Sequence, residues 1–243
     1  QNVDIMAMKT GPTGEVLWTK YFGTMQNDGG NSVTVVPGGD IYIVGYTTTN
    51  IDTIGYLLKL NAAGSLIWTK NIGNGSINVF NKIVYNNGFL YLAGYTNGSG
   101  AGGTDSWFVK TDLDGVVLKN KTFGTSGNDQ INDGVFSFDG NFVVTGKTIS
   151  NQTSSLIIAK LDTNGDTLWL GHYTMSQLGS SDLDGNSIAE LENQELVIGC
   201  SSSGNSGFRF LKILTNGVFI RVIPQTLSYL NSIDVIPARG GEF

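Results

Sequence analysis

The stretch KLNAAGSLIWTKNIG (59–73) decides the fold, because its main features return along the whole chain. Each copy has a lysine followed five residues later by a glycine. The pairs are Lys9 and Gly14, Lys59 and Gly64, Lys110 and Gly115, Lys160 and Gly165, and Lys212 and Gly217. Successive lysines lie about 50 residues apart. A repeat of this length, made of strands, is typical of the blades of a β-propeller.

Two further marks recur with the same spacing. An asparagine opens an apolar run in each repeat, and a glycine closes the following run in four repeats. The asparagines are Asn31, Asn81, Asn132, Asn186 and Asn231, and the glycines are Gly45, Gly94, Gly146 and Gly199. A tryptophan follows the first glycine by four residues in three repeats, whereas Lys119 and Arg221 stand there in the other two. We expect the blade contacts at those two positions to be looser, or to be covered by the long side-chain stems of the lysine and the arginine.

One repeat contains four apolar runs, 31–36, 41–47, 56–61 and 65–72. Their β-branched residues and the breakers between them predict strands joined by tight turns. Such a sheet is apolar on both faces, and stacking sheets around an axis buries both. The sequence therefore predicts an all-β protein, a five-bladed β-propeller of four-stranded antiparallel blades.

The two ends of the chain complement each other. Residues 3–22 supply only the third and fourth strands of a blade, while 229–237 supply a first strand and 240–243 the start of a second. We predict a single domain, 1–243, in which one composite blade joins the N- and C-terminal strands. The expected blades are about 23–73, 74–124, 125–174 and 175–226, with 227–243 plus 1–22 as the composite. A chain continuing past Phe243, with six or seven blades, is the alternative.

Composition excludes several function classes. The net charge is −6 and only 14% of residues are charged, without a basic run, so we predict no nucleic-acid partner. No apolar stretch reaches the ~18 residues of a membrane span, so we predict no membrane insertion. The single cysteine, Cys200, is expected to be a buried strand residue. A start at Gln1 indicates a removed signal peptide or an artificial start. No motif indicates a cofactor.

The stretch YFGTMQNDGGNSVTVVPGGDIYIVGYTTTN (21–50) resembles the bacterial β-propeller repeat family known as SBBP. In that family an aromatic-Gly segment, an Asn-Asp pair, an apolar strand, a Gly-rich turn and a Tyr-x-x-Gly-x-Thr strand follow in this order. The last strand returns as YLAGYT (91–96) and, more loosely, as VVTGKT (143–148) and LVIGCS (196–201). The turn TGEVLW (13–18) is also similar to the Trp-docking turn of pyrroloquinoline-quinone propeller repeats, without implying the quinone.

The resemblance implies a secreted or cell-surface bacterial protein, often part of a larger one and in some cases exported by type IX secretion. It supplies no catalytic residue.

Two groups of residues are candidates for ligand binding. The five asparagines open the strands expected innermost, so they either cap turns or form an axial ring that binds water, an ion or a small polar ligand. Loops on one face vary most between repeats, and binding residues are often found on such loops. The candidates there are Asn27, Asp28, Asn128, Asp129, Asp182 and Asp184. Solvated loop residues are the alternative for this second group.

The sequence DLDGN (182–186) places oxygen ligands at alternate positions, as calcium loops do. No glutamate follows at the twelfth loop position, so we predict no metal site, with Asp182, Asp184 and Asn186 as weak candidates. Catalysis has little support in the sequence. The only histidine, His172, lies alone, and Asp133, Glu190 and Asp234 do not share one repeated position.

We therefore predict a non-catalytic secreted or cell-surface module that binds a protein or a glycan, or serves as a scaffold. Two alternatives remain. One is a polysaccharide-active enzyme, a glycosidase or lyase, which needs carboxylates converging within ~10 Å. The other is a structural subunit of a surface assembly, with other domains or subunits as partners.

Overall fold

The computed structural model describes residues 3–173, 183–201 and 208–224. All regular structure in these residues is β-strand. Sheet A contains β1 (Ile5–Thr10) and β2 (Val16–Phe22). Four sheets have four strands each: sheet B, β3–β6 (Asp28–Val35, Ile41–Thr48, Thr53–Leu60, Leu66–Ile72); sheet C, β7–β10 (Asn78–Asn86, Phe89–Thr96, Asp105–Thr111, Val117–Phe123); sheet D, β11–β14 (Asn128–Phe136, Phe142–Ser150, Thr153–Leu161, Thr167–Tyr173); and sheet E, β15–β18 (Asp184–Glu190, Glu195–Ser201, Phe208–Leu214, Phe219–Pro224).

Each four-stranded sheet is an antiparallel meander in which strands pair in chain order. The first strands of successive sheets, β3, β7, β11 and β15, contact one another and so surround the axis. The five sheets fit a five-bladed β-propeller, which confirms the predicted fold class. The blade boundaries given above stay a prediction. The C-terminal part of the composite blade, 227–243, lies outside the described residues.

Tryptophan docking on glycine joins neighbouring sheets. The recurring hairpin glycines all have positive φ, for example +76° at Gly64 and +74° at Gly115, which non-glycine residues adopt only with strain. A Cβ on Gly64 would lie 3.0 Å from the Trp18 ring of sheet A, and a Cβ on Gly115 would lie 2.9 Å from Trp68. The glycine is therefore required both by the turn and by the tryptophan of the preceding sheet.

Sheet C lacks this tryptophan, and another residue fills the place. Lys119 is exposed, and the hairpin glycine of the next sheet, Gly165, packs on Phe108 from β9 instead. A Cβ on Gly165 would come within 2.3 Å of the Phe108 ring. The contact that we expected to be loose is thus close-packed, because a side chain from the third strand replaces one from the fourth.

The recurring lysines span the same junctions. Nζ of Lys110 donates to the Thr163 carbonyl at 3.2 Å, and Nζ of Lys160 donates to the Thr215 carbonyl at 3.3 Å; both carbonyls lie in the hairpin turn of the next sheet. Lys59 is also 3.1 Å from Asp40, in the first turn of its own sheet. The lysines serve the architecture of the blades.

The central strands carry the core. Tyr42 and Val44 of β4, Leu92 of β8 and Val143 of β12 are buried completely or almost so. Cys200 on β16 is also buried, as expected, and burial raises the pKa of its thiol. In the described part of the chain we find no helix long and apolar enough to span a membrane.

Candidate functional site at the propeller axis

Each of the four axial asparagines among the described residues is the extra residue of a β-bulge. The pairing of β3 with β4 passes from Gly30 to Ser32 and skips Asn31. The same break occurs at Asn81, Asn132 and Asn186 in the next three sheets. A bulge leaves its extra residue without a ladder partner and redirects its side chain. The asparagines therefore lie inside the first strands rather than opening them.

The strand glycine recognised in the sequence belongs to the same bulge. A Cβ on Gly45 would lie 1.8 Å from the Gly29 carbonyl oxygen, and one on Gly94 would lie 1.9 Å from that of Val79. Since only glycine allows this approach of two backbones, the asparagine and the glycine are two parts of one feature.

The bulged asparagines link sheet to sheet. Nδ2 of Asn31 donates to the Phe80 carbonyl at 2.8 Å, Nδ2 of Asn81 to the Ile131 carbonyl at 2.7 Å, and Nδ2 of Asn132 to the Gly185 carbonyl at 2.9 Å. In each case the acceptor precedes the next asparagine. These bonds run between sheets, so the asparagines do not cap turns, which was one of the two predicted roles. The other predicted role, binding of a ligand by the ring, stays a prediction. Asn231 lies outside the described residues.

The loop candidates on the first strands serve as local anchors. The buried carboxylate of Asp28 accepts from the Thr24 amide at 2.6 Å, and that of Asp129 accepts from the Thr125 amide at 2.6 Å. Oδ1 of Asn27 accepts from the Val3 amide at 3.1 Å.

Asn128 has a corresponding contact, since its Oδ1 accepts from the Thr104 amide at 3.0 Å. Asp28 and Asp129 thus hold the loops that lead into their sheets, whereas Asn27 holds the segment before β1 and Asn128 holds the loop between β8 and β9.

The acidic segment before β15 is only partly described. Asp182 lies outside the described residues. Asp184 forms an ion pair with Lys147 of β12 at 2.8 Å and accepts from Oγ of Ser154 at 2.6 Å. Oδ1 of Asn186 accepts from Ser201 at 3.3 Å. Within 3–173, 183–201 and 208–224, no three His, Cys, Asp or Glu side chains lie together in a way that could hold a metal ion.

A second carboxylate lies where three first strands meet. Asp133 of β11 forms an ion pair with Lys82 of β7 at 2.6 Å. Its other oxygen accepts from the Ile188 amide at 2.8 Å and from the Ser187 hydroxyl at 3.1 Å, both on β15. The carboxylate is largely buried but Lys82 is about one-third exposed, so the pair is accessible from the axis. Asp133 is therefore an ionic contact between sheets C, D and E at the axis.

Asp133 and Asp184 both have contacts within β15. Ser187, which donates to Asp133, follows Asp184 by three residues on that strand. Each is held by a lysine of the preceding sheet, Lys82 or Lys147. The two pairs bring opposite charges to one side of the axis.

Aromatic side chains occupy the position of Lys147 on sheets B and C. Tyr46 lies opposite Gly29 and Tyr95 lies opposite Val79, as Lys147 lies opposite Gln130 in sheet D. Burial raises the pKa of the Tyr95 hydroxyl, and the nearby Tyr46 raises it further. Both tyrosines are only half-buried. Partly exposed aromatic rings can pack against the face of a sugar ring.

Sequence reasoning set Asp133 aside because no other repeat has an acid at its position. The equivalent residues, one after each of the other axial asparagines, are Ser32, Lys82, Ser187 and Ser232. Lys82 and Ser187 both contact Asp133. The useful signal was a lysine and an aspartate at the same repeat position in adjacent blades.

No family model matches the chain, and no curated protein matches it. Among solved structures, the native Bacillus subtilis arabinanase Arb43A is 13% identical, with a TM-score of 0.44 over 77% of this chain and 75% of that one. The mannose phosphorylase MPT-4 from Leishmania mexicana is 13% identical, with a TM-score of 0.48 over 88% and 76%. A luciferin-regenerating enzyme is 11% identical, with a TM-score of 0.45 over 80% and 76%.

These matches correct two predictions. The sequence led us to a non-catalytic module and to the absence of enzyme activity, whereas each of these three structures is named as an enzyme. The likeness at these identities is one of fold, so any proposed chemistry must rest on the residues of this chain. The SBBP repeat and the quinone-type turn find no match of their own.

Proposed function

We propose that this protein is a polysaccharide-active enzyme of the glycosidase type, with its active site at the axis between sheets C, D and E. The observation that supports this most is the pair of carboxylates Asp133 and Asp184, on neighbouring first strands and each held by a lysine. Glycoside hydrolysis uses two carboxyl groups flanking the scissile bond. These two come from different blades, so the bond would lie across a junction between blades.

Asp133 is suited to the role of general base. Lys82 and two donors of β15 hold its carboxylate in place. In the proposed reaction, this carboxylate takes a proton from a water molecule, and the water oxygen forms a bond to the anomeric carbon. Because Asp133 is fixed by three contacts from two neighbouring sheets, it needs no reorganisation to receive the water.

Asp184 is assigned the role of general acid because it is the more exposed of the two carboxylates, at 29% against 9% for Asp133. Its side chain and that of Lys147 are each about one-quarter exposed, so a sugar can reach both. The proposed acid protonates the glycosidic oxygen as the bond from that oxygen to the anomeric carbon breaks. Because water attacks the anomeric carbon directly in this scheme, we propose inversion.

The test is release of reducing ends from a panel of plant, bacterial and algal polysaccharides. The unmodified protein is expected to cleave at least one of them. Asp133→Asn and Asp184→Asn are each expected to lower kcat by 10²-fold or more, in line with the loss of an acid or base. Asp114→Asn, an exposed acid in the β9–β10 hairpin, is the matched control and is expected to keep full activity.

Two results contradict the proposal: no cleavage of any polysaccharide in the panel, or unchanged cleavage by both axial variants. Circular dichroism of each variant separates lost chemistry from lost folding, because Asp133 also links three sheets.

We further propose that the protein is secreted or displayed on a bacterial surface and belongs with the SBBP-type propellers. The order of the aromatic-Gly, Asn-Asp and Tyr-x-x-Gly-x-Thr segments in 21–50 supports this, as does the low content of charged residues. The proposed substrate would then be a glycan outside the cell or on the cell surface. Detection of the protein only in the cytoplasmic fraction of the producing cells would contradict this localisation.

A further inference from the structure

One repeated position of the second strands lies at the end of the axis where the first strands begin. Tyr46, Tyr95 and Lys147 hold this position in sheets B, C and D. Lys147 shows how far such a side chain reaches, because its Nζ lies 2.8 Å from Asp184, the first residue of β15. The strands agree with this, since β4 contacts β7, β8 contacts β11 and β12 contacts β15. A side chain at this position therefore extends from its own sheet towards the innermost strand of the next one.

The ring of Tyr46 lies over the innermost strand of its own sheet. A Cβ on Gly29 of β3 would lie 2.4 Å from this ring and 2.9 Å from its hydroxyl oxygen. The neighbouring Gly30 faces sheet A, because a Cβ there would lie 2.8 Å from Ile5. Successive residues of a strand face opposite sides, so Gly29 and the Tyr46 ring face sheet C. The absence of a side chain at Gly29 thus lets the tyrosine reach the axis.

The two tyrosines lie at one level in adjacent sheets. The raised pKa of the Tyr95 hydroxyl is due first to burial and then to Tyr46, which places the two hydroxyls within electrostatic reach of each other. Both side chains are only half-buried, so a ligand can contact them. Lys147 and Asp184 continue the same level at the junction of sheets D and E. We call these four residues the axial crescent.

The chemistry of the axial crescent suits a chain of sugar rings. A tyrosine presents an apolar ring that packs against the C–H face of a sugar, and a hydroxyl that bonds to the sugar's polar groups. Ligand sites typically combine aromatic side chains with a few polar groups that fix orientation, and Lys147 and Asp184 are such groups. Because successive sheets supply one position each, the arrangement fits an oligosaccharide better than a single sugar.

The charges at this end of the axis favour a neutral glycan. Lys147 is bound to Asp184 at 2.8 Å, and Lys82 is bound to Asp133 at 2.6 Å. A uronate carboxylate would have to compete with these aspartates, and pulling a lysine away would leave a partly buried carboxylate without its partner. The chain also has a net charge of −6, which repels a polyanion before contact.

We propose that Tyr46 and Tyr95 bind successive sugar rings of a neutral glycan, and that the Lys147–Asp184 pair disfavours polyuronates. This inference rests on the proposed function, since it names the substrate class of the same axial site. It extends that site from sheets C, D and E to sheet B. Tyr46 and Tyr95 are binding residues in this scheme and take no part in proton transfer.

The first test is isothermal titration calorimetry of the full chain with thio-linked cellohexaose, xylohexaose and mannohexaose, whose sulfur linkages resist hydrolysis. At least one of them is expected to bind. Tyr46→Ala and Tyr95→Ala are each expected to raise its Kd by about tenfold or more, as buried aromatic contacts do. Tyr21→Ala is the matched control, because Tyr21 is an exposed tyrosine of β2, and its Kd is expected to stay unchanged.

A further variant moves the ring without removing it. Gly29→Ala places a Cβ where the Tyr46 ring lies, so the ring must shift, and weaker binding is expected although every aromatic residue is kept. It also guards against loss of folding in the alanine variants of the tyrosines. Absence of binding to all three hexasaccharides overturns the inference. An unchanged Kd in Tyr46→Ala, Tyr95→Ala and Gly29→Ala overturns it as well.

The second test uses hexagalacturonate at low salt. The unmodified protein is expected to bind it about tenfold or more weakly than the best neutral hexasaccharide, a difference that interacting charges can supply. Asp184→Asn removes the partner of Lys147 and is expected to bind hexagalacturonate more tightly than the unmodified protein does. Preference of the unmodified protein for hexagalacturonate overturns the inference. An unchanged affinity in Asp184→Asn overturns the role given to the ion pair.

These measurements separate the inference from the proposed enzyme. Binding of a thio-linked chain needs no turnover, so a protein that cleaves no polysaccharide but binds a neutral hexasaccharide through Tyr46 and Tyr95 would contradict the enzyme and support the axial crescent. A protein that cleaves a neutral polysaccharide with the same KM in Tyr46→Ala and Tyr95→Ala would support the enzyme and overturn the axial crescent.

Discussion

The side-chain amide of Asn31 donates a hydrogen bond to the backbone carbonyl of Phe80, 2.8 Å away in the neighbouring sheet. The same Nδ2 also lies 3.3 Å from Oδ1 of Asn81. Nδ2 of Asn81 in turn donates to the carbonyl of Ile131 in the next sheet. Each asparagine therefore both fills a bulge of its own strand and fixes the next strand around the axis. The ring holds the first strands in register, and these strands carry the residues of the proposed active site.

The first prediction concerns this ring. Asn81→Ala leaves the Ile131 carbonyl without its donor in a half-buried place, so we expect a loss of roughly 1–2 kcal/mol of unfolding free energy. Chemical denaturation measures the loss. Asn50→Ala, in the exposed loop between β4 and β5, is the control and is expected to change stability by less than about 0.5 kcal/mol. Equal stability of the two variants would show that the ring contributes nothing.

The second prediction separates backbone strain from docking. Gly14 and Gly115 have similar φ angles, +86° and +74°, so alanine strains both turns by a similar amount. A Cβ on Gly14 meets no described atom within 4 Å, whereas one on Gly115 lies 2.9 Å from the Trp68 ring. We therefore expect Gly115→Ala to lower Tm more than Gly14→Ala. Melting curves of both variants measure the difference, and equal shifts would refute tryptophan docking as a source of stability.

The third prediction concerns acid unfolding. Burial alone would raise the pKa of Asp139, but hydrogen bonds from Lys160 and Ser137 outweigh burial and lower this pKa from 3.8 to about 2. The folded state therefore holds the ionised form more strongly than the unfolded state does. Its stabilising effect is present above pH 3.8 and is lost as the pH falls towards 2.

Asp139→Asn should accordingly be less stable than the unmodified protein at pH 5 and approach it near pH 2. Melting temperatures of both proteins across this range provide the measurement. Asp114→Asn, which is exposed and lies in another turn, serves as the comparison. Its melting temperature should change with pH in the same way as that of the unmodified protein. A difference between Asp139→Asn and the parent that stays constant from pH 5 to 2 would contradict the assignment.

The sequence predicted the fold because the repeated residues are those that the blades require. A positive φ at Gly64 and the Trp18 ring packed against it both require glycine. The glycine therefore recurs in every repeat, and this recurrence is visible in the sequence alone. The replacement of tryptophan by Phe108 was not visible. Lys119 marks the place where the tryptophan is missing, but the residue that fills the space comes from β9 and is recognised only from packing.

The candidate site was harder to predict for a related reason. Repetition identifies architecture, and the repeated Asn31 and its equivalents proved to be contacts between sheets. Asp133 and Lys82 form a pair only because adjacent first strands bring equivalent positions together, a relation between residues about 50 positions apart. The role of Asp184 depends in the same way on Lys147 of the preceding sheet.

The most direct test of the account is the anomeric configuration of the first product that the unmodified protein releases from a polysaccharide it cleaves. Proton NMR during the first minutes of reaction, before mutarotation, gives this configuration. Direct attack of a water molecule activated by Asp133 predicts a product with the anomer opposite to that of the substrate. A product that retains the configuration, or release that continues unchanged in Asp133→Asn, would contradict the assignment of Asp133 and Asp184 as an inverting pair at the axis.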